Sequence, residues 1–159
     1  MAESDAQKVM TFALKLLGLR NHSREELLRK LLKKGYSKEN IEPVLERLTG
    51  QGVLDDRIFG MDLIRSHCRR KPSGKLKMRS ELRKKGVPDT IIGDLLKEYE
   101  SDVLCLKAAE KKIGSLHGNE ADRKKKLEVF LRNRGFEWPE VQSVLRHFFQ
   151  AGSDHEEFG

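Results

Sequence analysis

Few residues in this chain have the types and spacing that chemistry requires. Asp55 and Asp56, in the string Gly-Val-Leu-Asp-Asp-Arg-Ile-Phe, are its conspicuous acid pair. Paired carboxylates do acid–base work or hold a metal when they converge on one atom. Neighbouring residues at a helix start do not readily converge, and no His or third acid lies close in sequence. Aspartate there caps free N–H groups and meets the positive end of the helix dipole, so capping is the expected role. His22, His67, His117, His147 and His155 are scattered, with no His-x-x-x-His or His-Glu-x-x-His spacing for zinc. Cys68 and Cys105 stand far apart, without a neighbouring base or a Cys-x-x-Cys pair. No Gly-x-x-x-x-Gly-Lys or Gly-x-Gly-x-x-Gly loop offers a phosphate cradle. No catalytic residue, metal or cofactor is expected.

Basic clusters are the informative feature. Arg65, Arg69, Arg70, Lys71, Lys75, Lys77, Arg79, Arg83, Lys84 and Lys85 fall in one stretch, opposed there only by Glu81. Lys75, Arg79 and Arg83 recur every four residues, which makes one row on a helix. A second cluster is Arg123, Lys124, Lys125 and Lys126, continued by Arg132 and Arg134. A solvated face usually mixes signs, as Arg24, Arg29, Lys30, Lys33 and Lys34 do with Glu25 and Glu26. An unmixed row repels itself until something anionic neutralises it. Trp138 and Tyr36 have rings that stack on bases, but both fall near a helix cap, where packing is the ordinary role.

The elements that carry these rows are repeated. Gly35, Gly86 and Gly135 each close a basic run, 51 and 49 residues apart. Counted from each glycine, seven apolar columns match in all three copies. They are Leu27, Met78 and Leu127; Leu31, Leu82 and Leu131; Tyr36, Val87 and Phe136; Ile41, Ile92 and Val141; Val44, Leu95 and Val144; Leu45, Leu96 and Leu145; Leu48, Tyr99 and Phe148. Such self-similarity marks repeated supersecondary units. Columns before the glycine are four apart and share a helix face. The glycine ends that helix in the left-handed conformation, and three- and four-residue spacing after it starts another.

A further helix precedes each pair. It carries Val9, Phe12, Ala13, Leu16 and Leu17 in the first copy, Phe59, Leu63 and Ile64 in the second, and Leu104, Ala108 and Ile113 in the third. Ser23 with Glu26 reads as a capping box, and Pro88 and Pro139 as first-turn prolines. No run alternates with period two, so no strand is expected. The fold class is all-α, three tandem three-helix repeats in an elongated array. The units are 8–50, 51–99 and 100–150, between a flexible N-terminus over 1–7 and a flexible acidic C-terminus over 151–159.

Composition sets outer bounds. The chain has 159 residues, 37% hydrophobic and 36% charged, with a net charge of +7. That is too polar for one large spherical core and suits thin helical layers. A basic balance favours nucleic acid, an acidic protein or an anionic membrane as partner. No apolar run approaches the ~18 residues that span a membrane. The acidic start is unlike a signal peptide, and the cysteine usage suits a reducing compartment. A cytoplasmic monomer with no membrane partner is expected.

The chain resembles the RecX family, regulators of the RecA recombinase. The likeness runs from about Lys8 to Phe149. It rests on His22-Ser23 with Glu26-Leu27 and Lys30-Leu31, then Gly52-Val53-Leu54-Asp55-Asp56 with Phe59. Gly74, Met78, Glu81-Leu82 and Lys85-Gly86-Val87 follow, with Phe130-Leu131 and Arg134-Gly135-Phe136 in the third copy. The resemblance implies a protein without a catalytic site that binds RecA and the groove of the RecA–single-stranded DNA filament. It implies inhibition or tuning of filament growth, strand exchange, ATP hydrolysis and LexA co-cleavage, with DNA as a further direct contact. Two other readings fit the charge: a helical nucleic-acid-binding protein acting without RecA, and a helical-repeat adaptor for an acidic protein.

Overall fold

The structure is a computed structural model. It describes the backbone of residues 4–158 and the side chains of residues 4–149. The expectations of flexibility over 1–3 and at 159 fall outside the described residues, whereas the backbone of 151–158, expected in a flexible tail, is the last part of a helix.

Among the described residues the chain forms nine helices and no strand. They are α1 Asp5–Leu19, α2 Arg24–Lys34, α3 Lys38–Gly50, α4 Asp56–Arg70, α5 Lys75–Lys84, α6 Asp89–Leu96, α7 Ser101–Ile113, α8 Glu120–Asn133 and α9 Trp138–Phe158. The fold is thus all-α, three helices per repeat. Two compact units emerge from the packing: Met1–Leu63 with Glu81–Lys97, and Ile64–Ser80 with Glu98–Gly159.

The repeat columns form the core because each lies on one face of its helix. In the first unit Val9, Ala13, Leu27, Leu31, Ile41, Val44, Leu45, Leu48 and Leu54 are buried together. In the second, Cys105, Ala108, Ala109, Leu127, Leu131, Phe136, Val141, Val144, Leu145 and Phe149 do the same. Each such aliphatic or aromatic side chain contributes roughly 1.5–3 kcal/mol by leaving water. Phe59, Met78, Leu82, Val87, Ile92 and Leu96 of the second repeat are also buried. Gly60 lets α4 approach α6, since a Cβ there would stand 2.4 Å from Leu95 Cδ1.

All three repeat glycines are left-handed, with φ of 111° at Gly35, 85° at Gly86 and 84° at Gly135. The same pair of hydrogen bonds closes each cap. Tyr36, Val87 and Phe136 donate N–H to the carbonyls of Leu31, Leu82 and Leu131, while the glycines donate to Leu32, Arg83 and Arg132. This is the Schellman arrangement, which satisfies carbonyls that the helix end would otherwise leave open.

Helix starts depart from the sequence reading in two places. Residues 5–7, expected in a flexible terminus, are the first turn of α1, because Ser4 and Gln7 form a reciprocal capping box. Ser23 caps α2 by accepting from the Glu26 N–H at 3.0 Å. Glu26, however, does not complete a box. Its carboxylate takes both terminal nitrogens of the Arg20 guanidinium, at 3.1 and 2.6 Å. A bidentate charged pair is the stronger alternative available to it.

Candidate anion-binding surface

In the second unit a buried loop is flanked in sequence by basic residues. Between α4 and α5, Pro72, Ser73 and Gly74 are buried. Arg134 Nη1 donates to the Pro72 carbonyl at 3.1 Å, and the Tyr99 hydroxyl donates to the Ser73 carbonyl. His67 Nε2 lies 2.9 Å from Ser73 Oγ, which donates to the Lys71 carbonyl at 3.0 Å. The Gly74 N–H donates to the Arg134 carbonyl at 2.9 Å and the Leu76 N–H to the Gly135 carbonyl at 3.2 Å. The start of α5 therefore supplies N–H groups to the end of α8. A Cβ on Gly74 would stand 2.2 Å from the Gly135 carbonyl oxygen, so glycine is needed there for close approach alone.

The cations of α4, this loop, α5 and α8 differ in availability. No Asp or Glu occurs from Ile64 to Ser80. Arg69, Lys71 and Arg79 are exposed and Lys75 is half-buried, and none of their side chains has a partner among the described residues. Arg70 is exposed, with its Nε 3.4 Å from the Ser66 carbonyl. Arg65 is exposed and Lys77 half-buried, and both have interactions of their own. On α8, Lys124 is exposed. Lys125 pairs with Glu128 at 3.2 Å and Lys126 donates to the His117 carbonyl at 2.8 Å.

Arg134 is committed to the Pro72 carbonyl, with its guanidinium carbon 4.7 Å from the Phe130 ring centre. Arg132 lies over the Trp138 ring at 5.8 Å, and that ring is 46% exposed. Sequence spacing assigned Trp138 to cap packing; it is the first residue of α9 and keeps part of its surface open beside Arg132. Tyr36 is half-buried against Phe12, with ring centres 6.4 Å apart.

The last three residues of the first basic cluster belong to the first unit. Arg83 Nε is 2.9 Å from Asp89, and Lys84 Nζ is 3.8 Å from Glu81. Lys85 is exposed. The row Lys75, Arg79, Arg83 thus keeps its four-residue spacing on α5, but its last member is paired. Both partners of that pair are well exposed, so it is weak and exchangeable.

The acid pair caps two different helices. Asp55 Oδ1 accepts from Arg57 N–H at 2.9 Å and Ile58 N–H at 3.3 Å, at the start of α4. Asp56 Oδ1 accepts from Arg24 N–H at 2.8 Å, at the start of α2. The carboxylates therefore point to separate tasks. Among the described residues no group of three His, Cys, Asp or Glu is placed to hold a metal. Among the described residues no helix is long and apolar enough to cross a membrane.

Two histidine and tyrosine environments are set by burial. His22 is 3% exposed; burial holds its pKa below the ordinary histidine value. Its Nδ1 lies 3.0 Å from the Arg20 carbonyl and its Nε2 2.8 Å from Lys30 Nζ. Lysine only donates, so Nε2 accepts and Nδ1 carries the proton. Burial raises the Tyr99 hydroxyl, aided by the Cys68 sulfur 3.2 Å away. These are anchors of packing, and no nucleophile stands beside a base in either.

Among the described residues nine helices form three repeats of three, which defines an all-α helical-repeat protein. Comparison with known proteins places it further. Family models described as RecX first, second and third three-helix domains match residues 10–48, 55–96 and 98–145. The Regulatory protein RecX of Pelodictyon phaeoclathratiforme is 64% identical over 99% of both chains. That of Chlorobium limicola is 49% identical over 98% of this chain and 99% of its own. The crystal structure of RecX from Lactobacillus salivarius shares the fold at a TM-score of 0.81, with 21% identity, covering 90% of this chain and 96% of its own. The chain belongs to the RecX family of regulatory proteins.

Proposed function

We propose that this chain is a non-enzymatic, cytoplasmic, monomeric regulator that binds RecA and the groove of the RecA–single-stranded DNA filament. It inhibits filament growth and with it strand exchange, ATP hydrolysis and LexA co-cleavage. Three modules, 8–50, 51–99 and 100–150, serve to engage more than one filament subunit. Family membership supplies the partner. The single structural observation that supports the reading is the set Arg69, Lys71, Lys75 and Arg79, four cations in and beside the α4–α5 loop whose side chains have no partner among the described residues. Preorganised cations gain phosphate or carboxylate contacts without first breaking internal ion pairs.

The test is RecA's DNA-dependent ATPase with stoichiometric protein, wild type against Lys75→Glu/Arg79→Glu. Wild type is expected to suppress turnover and the variant to lose most of that suppression. Equal ATPase rates with and without the wild-type protein sink the reading.

A second reading, direct nucleic-acid binding without RecA, is favoured by the exposed Trp138 beside Arg132. It requires tight binding to bare single strands, with a log–log salt slope of about −0.7 per phosphate contact.

A further inference from the structure

Two of the three glycine caps are covered, and in each the cover is the start of a second helix from the preceding repeat. At Gly86 the cover is α2. Ser23 Oγ donates to the Lys85 carbonyl, and Arg29 Nη1 lies 3.4 Å from the Lys84 carbonyl. A Cβ on Gly86 would stand 2.3 Å from Glu25 Cβ. At Gly135 the cover is α5, through Gly74 and Leu76 as described above. The two junctions are equivalent in register. Ser23 and Gly74 each stand twelve residues before their own glycine, and Lys85 and Arg134 each stand one before theirs. In both, a helix start brings N–H or O–H donors and a positive dipole end to the carbonyls of a helix end.

Gly35 has the same conformation, the same Schellman bonds and the same preceding residues: Lys33-Lys34-Gly35 repeats Lys84-Lys85-Gly86. Its cap is uncovered. A Cβ on Gly35 meets no described atom within 4 Å, and Lys33, Lys34 and Gly35 are all exposed. The covered copy shows what fits such a cap. The first turn of α2 carries Glu25 and Glu26, opposite a last turn that carries Arg83 and Lys84, followed by Lys85. Lys85 is among the charges that favour ionised Glu26. Lys33 and Lys34 carry the same sign in the last turn before Gly35, with Lys34 Nζ 5.1 Å from the Phe12 ring centre.

We infer that the Lys33–Lys34–Gly35 cap is a docking point for the start of a helix in a protein partner, one with a small or hydroxyl N-cap and an acidic first turn. The inference deepens the RecA reading and rests on it for the choice of probe. The internal junction at Gly86 is its template: the partner's cap residue takes the place of Ser23, and its acids take the places of Glu25 and Glu26. This surface is separate in character from the Arg69–Arg79 cations, because it selects a helix end rather than a phosphate.

The experiment places a photo-crosslinking benzoylphenylalanine at position 34 or, separately, at position 79 of the full chain. Each is irradiated with RecA–single-stranded DNA filaments and the adducts are mapped by mass spectrometry. The expected adduct from position 34 is on RecA, at a helix start with Asp or Glu in its first turn. An adduct from position 79 with none from 34 overturns the inference and leaves the regulatory reading standing. An adduct from 34 on DNA, on a second copy of this chain or away from a helix start also overturns it. Adducts from neither position overturn both. In parallel, Lys33→Glu/Lys34→Glu is expected to weaken filament binding roughly tenfold while binding to bare DNA changes less than about twofold. Lys33→Gln/Lys34→Gln, which keeps helix-compatible residues, should move the same way to a smaller extent. Equal losses on bare DNA and filaments would assign the lysines to phosphate and overturn the inference.

Discussion

Gly86 lies so close to Glu25 that a Cβ on the glycine would stand 2.3 Å from the Glu25 Cβ. Gly135 meets backbone as well as side chain, with Lys77 Cβ and Lys77 N each 2.4 Å from such a Cβ, whereas Gly35 has open space. Three glycines alike in sequence register therefore carry different burdens. Gly35→Ala meets only the left-handed backbone strain, about 1–2 kcal/mol. Gly86→Ala and Gly135→Ala add overpacking, typically ~1–3 kcal/mol more. Thermal unfolding of the three variants should rank Gly35→Ala mildest and Gly135→Ala worst, because backbone yields less readily than a side chain. Equal losses would mean the caps are not in contact as described.

His22 makes stability depend on pH. Burial, with Arg20 and Lys30 adding like charge, holds its folded pKa below the ordinary value, and the Arg20 carbonyl and Glu26 oppose only in part. The unfolded chain therefore takes up a proton first as pH falls. The contribution of neutral His22 is intact above its unfolded pKa and is lost as pH drops through the folded one, with a slope of at most ~1.4 kcal/mol per pH unit. Urea unfolding between pH 7.5 and 5 should show this loss, and His22→Gln should flatten it, on the ~6.5 reference value for histidine. An unchanged slope in the variant would place the titration elsewhere.

Asp55 and Asp56 are adjacent, yet they serve α4 and α2 respectively. Removal of either cap should cost ~1 kcal/mol. Because they share no acceptor or donor, the double variant Asp55→Ala/Asp56→Ala should be additive to within about 0.5 kcal/mol in denaturant unfolding. A large coupling energy would instead indicate a joint site.

The repeat was legible because its carriers are local. Apolar spacing and a glycine after a basic run define a helix, its end and its buried face within about twenty residues of chain. The start of α1 was legible too, since Ser4-Asp5-Ala6-Gln7 has capping-box spacing, but it looked like part of an acidic tail. What sequence spacing missed depends on residues far apart. Ser23 meets Lys85 and Gly74 meets Arg134, each across 62 positions or nearly so. A charge row looks uniform in sequence, yet Arg83 turns to Asp89 and Arg134 to the Pro72 carbonyl. Asp56 looked like a cap for its own helix, and only the packing of α4 beside the start of α2 redirects it.

The two cysteines should separate cleanly in reactivity. Cys105 is fully buried, and burial with Glu140 and Asp102 nearby pushes its thiol up to about 12. The thiolate is the reactive form, so Cys105 should not react with a disulfide reagent at pH 8 until the chain unfolds. Cys68 is half-buried against the Tyr99 hydroxyl. A native-state titration should count no more than one thiol, assigned to Cys68 by its loss in Cys68→Ser. Rapid native labelling of Cys105 would contradict its burial.

Trp138 is the chain's single tryptophan, and its half-exposed ring has Arg132 over one face. A base that stacks on that ring quenches its emission, and stacking contributes about 1–3 kcal/mol per base. Titration with bare single-stranded DNA, then with RecA-coated DNA, therefore reads both proposed functions with one signal. If RecA is the required partner, bare DNA should quench weakly and the coated strand strongly. Trp138→Phe should retain regulation of ATPase, and Arg132→Ala should weaken binding modestly. Strong quenching by bare DNA, with a steep salt dependence that survives without RecA, would shift the weight to direct nucleic-acid binding. The geometry makes these outcomes separable because Trp138 and Arg132 sit on α9 and α8, whereas Lys75 and Arg79 sit on α5. A Lys75→Glu/Arg79→Glu chain that still quenches on DNA but no longer suppresses ATPase would assign base contact to the third repeat and regulation to the second.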